Sequence, residues 1–166
     1  MATKASFTAE EWQLLLESPM LAGMAVTAAD PSGLFGLVKE GLAASRALAE
    51  ASTAAGSSEL IRAVVADLET GEGRDAARDA LKARFAAAKA ADIKPRATTA
   101  LRETAALLDA KAPEDARAFK AWLEDIARRV AEASKEGGFL GFGGVQVSDA
   151  EKATLAEISA ALSRTV

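Results

Sequence analysis

The side chains that could carry chemistry here are carboxylates, amines, guanidinium groups, amides and hydroxyls, because the 166-residue sequence contains no His, Cys or Tyr. Imidazole and thiolate groups hold zinc, copper, iron–sulfur and haem centres, and histidine has the ordinary pKa nearest neutrality. We therefore expect no metal, no cofactor and no disulfide. An acid–base catalyst would have to be a perturbed Asp, Glu or Lys, so the sequence predicts a protein that is not an enzyme.

Residues 136–147 are the most unusual segment, since they contain five of the 12 glycines and two of the six phenylalanines. A phosphate-binding loop ends in Gly-Lys-Ser or Gly-Lys-Thr after a strand, whereas this segment lacks that ending and follows a predicted helix. A Ca²⁺ loop needs oxygen-bearing side chains at alternating positions, and the segment does not supply them. We predict neither a nucleotide site nor a calcium site here.

Three large apolar side chains of this segment, Phe139, Leu140 and Phe142, would be unfavourable in water, because burying one is worth about 1.5–3 kcal/mol. Leu34 and Phe35 lie in a stretch of similar composition and could pack against them. We predict that these five residues form an interaction surface. Three alternatives stay open: the segment folds back over the end of the protein, covers an apolar pocket, or touches a membrane surface.

These apolar residues lead to two hypotheses of function. The first is a non-catalytic helical interaction or scaffold protein that forms a homodimer and binds an unknown protein partner. The second is a protein that binds a small apolar ligand or a membrane surface. The oligomeric state and a search for a co-purified apolar ligand would separate them.

Charge along the chain argues against a nucleic-acid partner. The net charge is −4 and the isoelectric point is near 5.0, although residues 72–103 carry eight basic and five acidic side chains. Nucleic-acid binding needs a more extended basic surface. Asp75 with Arg78, and Asp79 with Lys82, have the i,i+3 spacing of helical ion pairs, so we interpret the stretch as a solvated helix face.

The expected location is the cytoplasm. No apolar run of signal-peptide length precedes Glu10, so the sequence does not predict secretion. Residues 18–38 are the least charged stretch, but Pro19 and the turn residues 30–33 divide it into pieces too short to cross a bilayer. The abundance of alanine is typical of GC-rich bacterial genomes, and we expect a bacterial protein.

Two capping boxes mark helix starts, at residues 8–11 and 148–151. In each, a hydroxyl at the N-cap accepts a free backbone amide while a glutamate three residues later accepts the N-cap amide. Phe7 and Trp12 flank the first box at the spacing of a hydrophobic staple. Helices are therefore predicted to begin near residues 9 and 149.

Proline and glycine predict the other boundaries. Ser18 and Pro19 are expected to begin a second helix, which ends near residue 29. Gly71 and Gly73 are expected to end a helix with a buried apolar face. Of three further predicted helices, one covers residues 34–54, one covers residues 74–91, and one begins at 92–95. The next begins at Pro113 and ends at Gly137 and Gly138, and its predicted apolar stripe consists of Phe119, Leu123, Ile126 and Val130, with Trp122 beside it.

The predicted fold is an all-α, single-domain bundle of about eight helices spanning residues 1–166, since no stretch shows the alternation of a strand. Alanine accounts for 42 positions, and small side chains let helices approach closely. Residues 46–52 resemble residues 128–134, 82 positions later. This similarity suggests two pseudo-equivalent helix–loop–helix halves, or it arises by chance because Ala and Glu are so common.

Overall fold

The computed structural model describes residues 1–29, 50, 58–135 and 147–163. Within these ranges the chain forms α-helices and one short 3₁₀ turn, with no strand, which confirms the all-α prediction for the described residues. The predicted helix at 34–54, apart from residue 50, and the helix end at Gly137 and Gly138 lie outside these ranges. The 3₁₀ turn spans Lys4–Ser6, and the helices are α1 (Ala9–Thr27), α2 (Glu59–Glu69), α3 (Gly71–Arg84), α4 (Ala90–Lys111), α5 (Pro113–Lys135) and α6 (Asp149–Ser163).

Helix α1 continues through Pro19, so the prediction of a second helix beginning at Ser18 and Pro19 is wrong. A proline inside a helix removes the amide that would bond the carbonyl four residues earlier, here that of Leu15. The Ser18 hydroxyl replaces this donor, since its Oγ lies 2.8 Å from the Leu15 oxygen. Ser18 therefore does not cap a new helix. It hydrogen-bonds a buried carbonyl within α1 instead.

The corner between α2 and α3 also differs from the prediction. Gly71 and Gly73 belong to α3, whereas the sequence predicted that they end the preceding helix. Thr70 makes the corner, because its Oγ1 accepts the Gly73 amide at 2.9 Å and caps α3. The apolar face predicted for α2 is buried, and it consists of Leu60, Ile61, Val64, Val65 and Leu68.

Helix α3 ends at Arg84, well before the predicted end at residue 91. In the turn that follows, Ala87 adopts a left-handed conformation with φ of 58°, which L-residues other than glycine rarely adopt and which is incompatible with a helix continuing to residue 91. Helix α4 then begins at Ala90 and contains Pro95, although the sequence predicted a start at 92–95. The carbonyl that loses its partner to Pro95 belongs to Ala91, which is exposed to solvent.

The starts predicted for the last two described helices are confirmed. Pro113 is the first residue of α5, where its missing amide costs nothing. At the start of α6 the Ser148 amide donates to Glu151 Oε2 at 2.8 Å, and the Glu151 amide donates to Ser148 Oγ at 3.2 Å. The stripe predicted for α5 is buried and consists of Phe119, Leu123, Ile126 and Val130; Trp122 beside it is buried as well.

Buried apolar side chains from all six described helices form one cluster. Among these helices, α1 and α4 share the most extensive interface. Alanines of both helices, including Ala22, Ala25, Ala97 and Ala100, are fully buried. None of the described helices is both long enough and apolar enough to cross a membrane.

Candidate binding groove

A groove of about 430 Å³ lies between the N-terminal turn with the start of α1 and the corner between α2 and α3. Its volume falls within the range of about 300–1,000 Å³ that is usual for small-molecule sites. The groove combines two aromatic rings with apolar and charged side chains. Its walls include Phe7, Trp12, Leu16 and Ala76, together with Lys4, Asp67 and Glu72.

The capping box at the start of α1 positions the aromatic wall, and both of its predicted hydrogen bonds are present. The Thr8 amide donates to Glu11 Oε2 at 2.7 Å, and the Glu11 amide donates to Thr8 Oγ1 at 3.2 Å. This fixed entry into the helix brings the rings of Phe7 and Trp12 to a centroid separation of 5.9 Å, tilted by 42°. The predicted staple is therefore confirmed, and it also forms one side of the groove.

Asp67, near the end of α2, provides the polar centre of the groove. Its Oδ2 accepts the indole Nε1–H of Trp12 at 2.6 Å and the ammonium of Lys4 at 2.8 Å. Partial burial raises the pKa of Asp67, but the hydrogen bonds from Lys4 and Trp12 and the charge of Lys4 lower it more, so the pKa lies below its ordinary value. Asp67 is consequently a fixed negative charge near neutral pH.

The backbone of Asp67 is held by the corner that follows it. Its carbonyl oxygen accepts the Thr70 amide at 3.0 Å and the Thr70 hydroxyl at 2.6 Å. Gly73 lies so close that an added Cβ would come within 2.1 Å of this oxygen. Gly73 is therefore required for the close approach, whereas a Cβ at Gly71 would meet no atom within 4 Å.

Three contacts fix the groove walls to the bundle. The Ala2 amide donates to the buried carboxylate of Asp115 in α5 at 2.9 Å. The Gln13 side chain donates to the Ala76 carbonyl at 3.1 Å, which joins α1 to α3. Lys111, at the end of α4, donates to the capping residue Glu11 at 2.6 Å.

In a second ion pair, Glu17 of α1 is buried and Arg84 of α3 is half-buried. Glu17 is 2% exposed, and its Oε1 accepts Arg84 Nε at 3.0 Å and also Arg84 Nη2. Arg84 Nη1 reaches Glu103 of α4 at 3.4 Å. Burial lowers the pKa of Arg84, but its hydrogen bonds to Glu17 and Glu103 and their charges raise it more, so the guanidinium stays charged. The pair joins α1, α3 and α4.

The basic stretch at residues 72–103 is extensively paired. Arg78 contacts Asp75 at 2.8 Å and Lys82 contacts Asp79 at 3.8 Å, which confirms the two predicted ion pairs. Arg96 donates to the Arg84 carbonyl at 3.0 Å and so satisfies the end of α3. These contacts pair part of the positive charge of this stretch within the protein.

The residues predicted to form the interaction surface, Phe139, Leu140, Phe142, Leu34 and Phe35, all lie outside the described residues. Conversely, sequence reasoning did not single out Lys4 or Asp67, and it assigned Phe7 and Trp12 only to a staple. Tryptophan occurs only twice in the sequence, and this rarity could have marked Trp12 as a candidate site residue. Asp67 gave no such signal, because its partners are 55 and 63 positions away.

Comparisons with known proteins do not assign a function. No protein-family model, curated protein or solved structure matches the chain. Across the described ranges, no group of three or more acidic side chains is arranged to hold a metal ion. The chemistry of the groove is therefore the basis for assigning a function.

Proposed function

We propose that this protein acts by binding, without catalysis, and that the groove between α1, α2 and α3 holds a small amphipathic ligand. The observation that carries the proposal is the position of the Asp67 carboxylate beside the Trp12 indole, in a partly apolar groove of ligand size. Binding sites commonly combine an apolar wall with a few convergent polar groups.

The electrostatics of Asp67 favour binding over acid–base catalysis. A general acid or base works best when its pKa lies near the operating pH. The pKa of Asp67 is shifted in the opposite direction, below its ordinary value. Asp67 can therefore orient a ligand through a fixed charge, but it is a poor proton carrier at neutral pH.

A groove-filling substitution tests the proposal. Ala76 lines the groove and is half-buried, so Ala76→Leu extends a larger side chain into it. Ala106→Leu, at an exposed position of α4, is the matched control. We expect saturation-transfer NMR to detect at least one of n-hexanol, n-hexylamine and n-hexanoate on the wild-type protein and the control, and none on Ala76→Leu. Failure of all three probes on the wild type, or equal binding to Ala76→Leu, rejects the proposal.

We also propose self-association through Phe139, Leu140 and Phe142, packed with Leu34 and Phe35, as a second function. The density of large apolar residues in a glycine-rich segment supports it. Size exclusion with light scattering should give twice the monomer mass of 17.1 kDa. Phe139→Ser combined with Phe142→Ser should return the protein to a monomer, and a wild-type monomer at high concentration excludes this function.

We also make proposals about the source and location of the protein and about the arrangement of its helices. We infer a bacterial cytoplasmic protein whose bundle has about eight helices in a single domain, with two pseudo-equivalent halves. The similarity between residues 46–52 and 128–134 supports the two halves. An experimental structure that covers residues 30–57 tests them, because the halves require a helix there equivalent to α5.

A further inference from the structure

We propose that the ligand of the groove is an alkylammonium compound, and that Lys4 is an internal occupant of the ammonium position. This inference rests on the proposed function and assigns the chemical class of the ligand. It follows from how the structure already binds one ammonium group, that of Lys4, between a carboxylate and an aromatic ring.

Two features of the groove match an ammonium ion. The Nζ of Lys4 lies 2.8 Å from Asp67 Oδ2 and 5.7 Å from the centre of the Trp12 ring. The second distance is within the range of about 6 Å over which a cation is attracted to an aromatic face. Because the Trp12 indole donates to the same carboxylate oxygen, ring and carboxylate are fixed relative to each other.

The occupancy of this position by Lys4 is easily reversed. The Lys4 side chain is 63% exposed, and exposed ion pairs contribute little to stability. Among the described residues, the hydrogen bonds to the Asp67 carboxylate all reach Oδ2, and the other oxygen, Oδ1, is not buried, which leaves it available to a ligand. An incoming amine can therefore displace Lys4 without breaking a strong interaction.

The rest of the groove accounts for the alkyl part of the ligand. Phe7 and Ala76, both half-buried, provide apolar surface in the lining of the groove. Glu72 adds a second carboxylate to a lining in which Lys4 is the one cationic side chain, so the lining side chains carry a net negative charge. The groove then favours a cation and disfavours an anion of the same shape.

A headgroup series tests the inference at fixed chain length, with n-hexylamine, n-hexanol and n-hexanoate as probes at pH 7. Emission of Trp12 reports binding in the Trp122→Phe background, which leaves one tryptophan. We expect n-hexylamine to bind about two- to fivefold more tightly than n-hexanol, because its ammonium pairs with Asp67 at the same partly exposed position that Lys4 occupies. We expect n-hexanoate to bind most weakly.

Two variants test which residues cause the preference for an ammonium headgroup. Asp67→Asn keeps the shape and an acceptor for Trp12 but removes the charge, so n-hexylamine should lose its advantage over n-hexanol. Lys4→Met removes the internal cation and keeps most of its stem, so affinity for n-hexylamine should rise about two- to fivefold. Asp79→Asn and Lys82→Met, on the outer face of α3, are controls that should change neither value.

The outcomes separate this inference from the proposed function. If the three probes bind the wild type equally and Ala76→Leu abolishes their binding, the groove is a binding site but the ammonium assignment is wrong. Absence of all binding overturns both. Should Asp67→Asn fail to fold, as judged by circular dichroism, Lys4→Met decides: unchanged or weaker affinity for n-hexylamine contradicts the role of Lys4.

Discussion

The groove pair, Lys4 with Asp67, and the buried pair, Glu17 with Arg84, use similar groups in different surroundings. Lys4 is 63% exposed and Asp67 19%, whereas Arg84 is 27% exposed and Glu17 2%. In each pair one carboxylate oxygen accepts two nitrogen donors. The difference in exposure determines the role, because water can replace the partner of an exposed charge but not of a buried one.

Breaking the buried pair should cause the largest loss of stability. Arg84→Met leaves the Glu17 carboxylate buried without its counterion, and we expect unfolding free energy to fall by about 3 kcal/mol, at the lower end of the range for buried pairs because Arg84 is partly exposed. Urea denaturation measures this loss. The double variant Glu17→Met with Arg84→Met should recover much of it, and no recovery would show that the pair contributes packing more than charge.

The next largest loss of stability is expected at the corner between α2 and α3, which supports the groove pair. Gly73→Ala places a methyl group against the Asp67 carbonyl, so we expect a loss of about 1–3 kcal/mol, as for other overpacked positions. Gly71→Ala has open space and should be neutral or stabilising by up to about 1 kcal/mol. Thermal unfolding of the two variants compares them, and equal behaviour would mean that the close approach at Gly73 is unimportant.

A smaller effect is expected in the turn after Arg84. Ala87 has a φ of 58°, where glycine avoids the steric cost of a Cβ. Ala87→Gly should therefore stabilise the protein by about 1 kcal/mol. Chemical denaturation should show a higher midpoint, with Ala86→Gly as the neighbouring control, which should not be stabilised.

The smallest effect belongs to the groove pair itself. Asp67→Asn should cost about 1 kcal/mol or less at pH 7, because its partner Lys4 is exposed. The folded-state pKa of Asp67 is lowered from 3.8, so its contribution is complete above that value and is lost as pH falls through the folded pKa. The stability difference between wild type and variant should therefore shrink on acidification, and a difference that grows toward low pH contradicts this assignment.

Local signals predicted the parts of the fold that local interactions decide. Both capping boxes, the Phe7–Trp12 staple and the apolar stripe of α5 follow from spacing within one or two helical turns. The helix start predicted from Ser18 and Pro19 was wrong, because a serine before a proline can either cap a new helix or, as here, hydrogen-bond the carbonyl that the proline leaves without a partner. What decides between the two is the burial of this part of α1, which spacing does not reveal.

The groove could not be predicted for a similar reason. Asp67 meets Trp12 and Lys4 only after α2 packs beside α1, and nothing in the sequence near residue 67 indicates that pairing. The end of α3 was missed because the left-handed residue in the turn that follows it is an alanine, Ala87, and not a glycine. Charge pairs within α3 were predictable, since i,i+3 spacing alone specifies them.

The alanines buried between the helices have a consequence for how the protein responds to temperature. Alanine loses almost no rotamer freedom on folding, and unfolding exposes little apolar surface per alanine. The heat-capacity increment of unfolding arises mainly from such exposure, so we expect it to fall below the usual value of about 12–15 cal/mol/K per residue. The curve of stability against temperature should then be broad and shallow, with little loss on cooling.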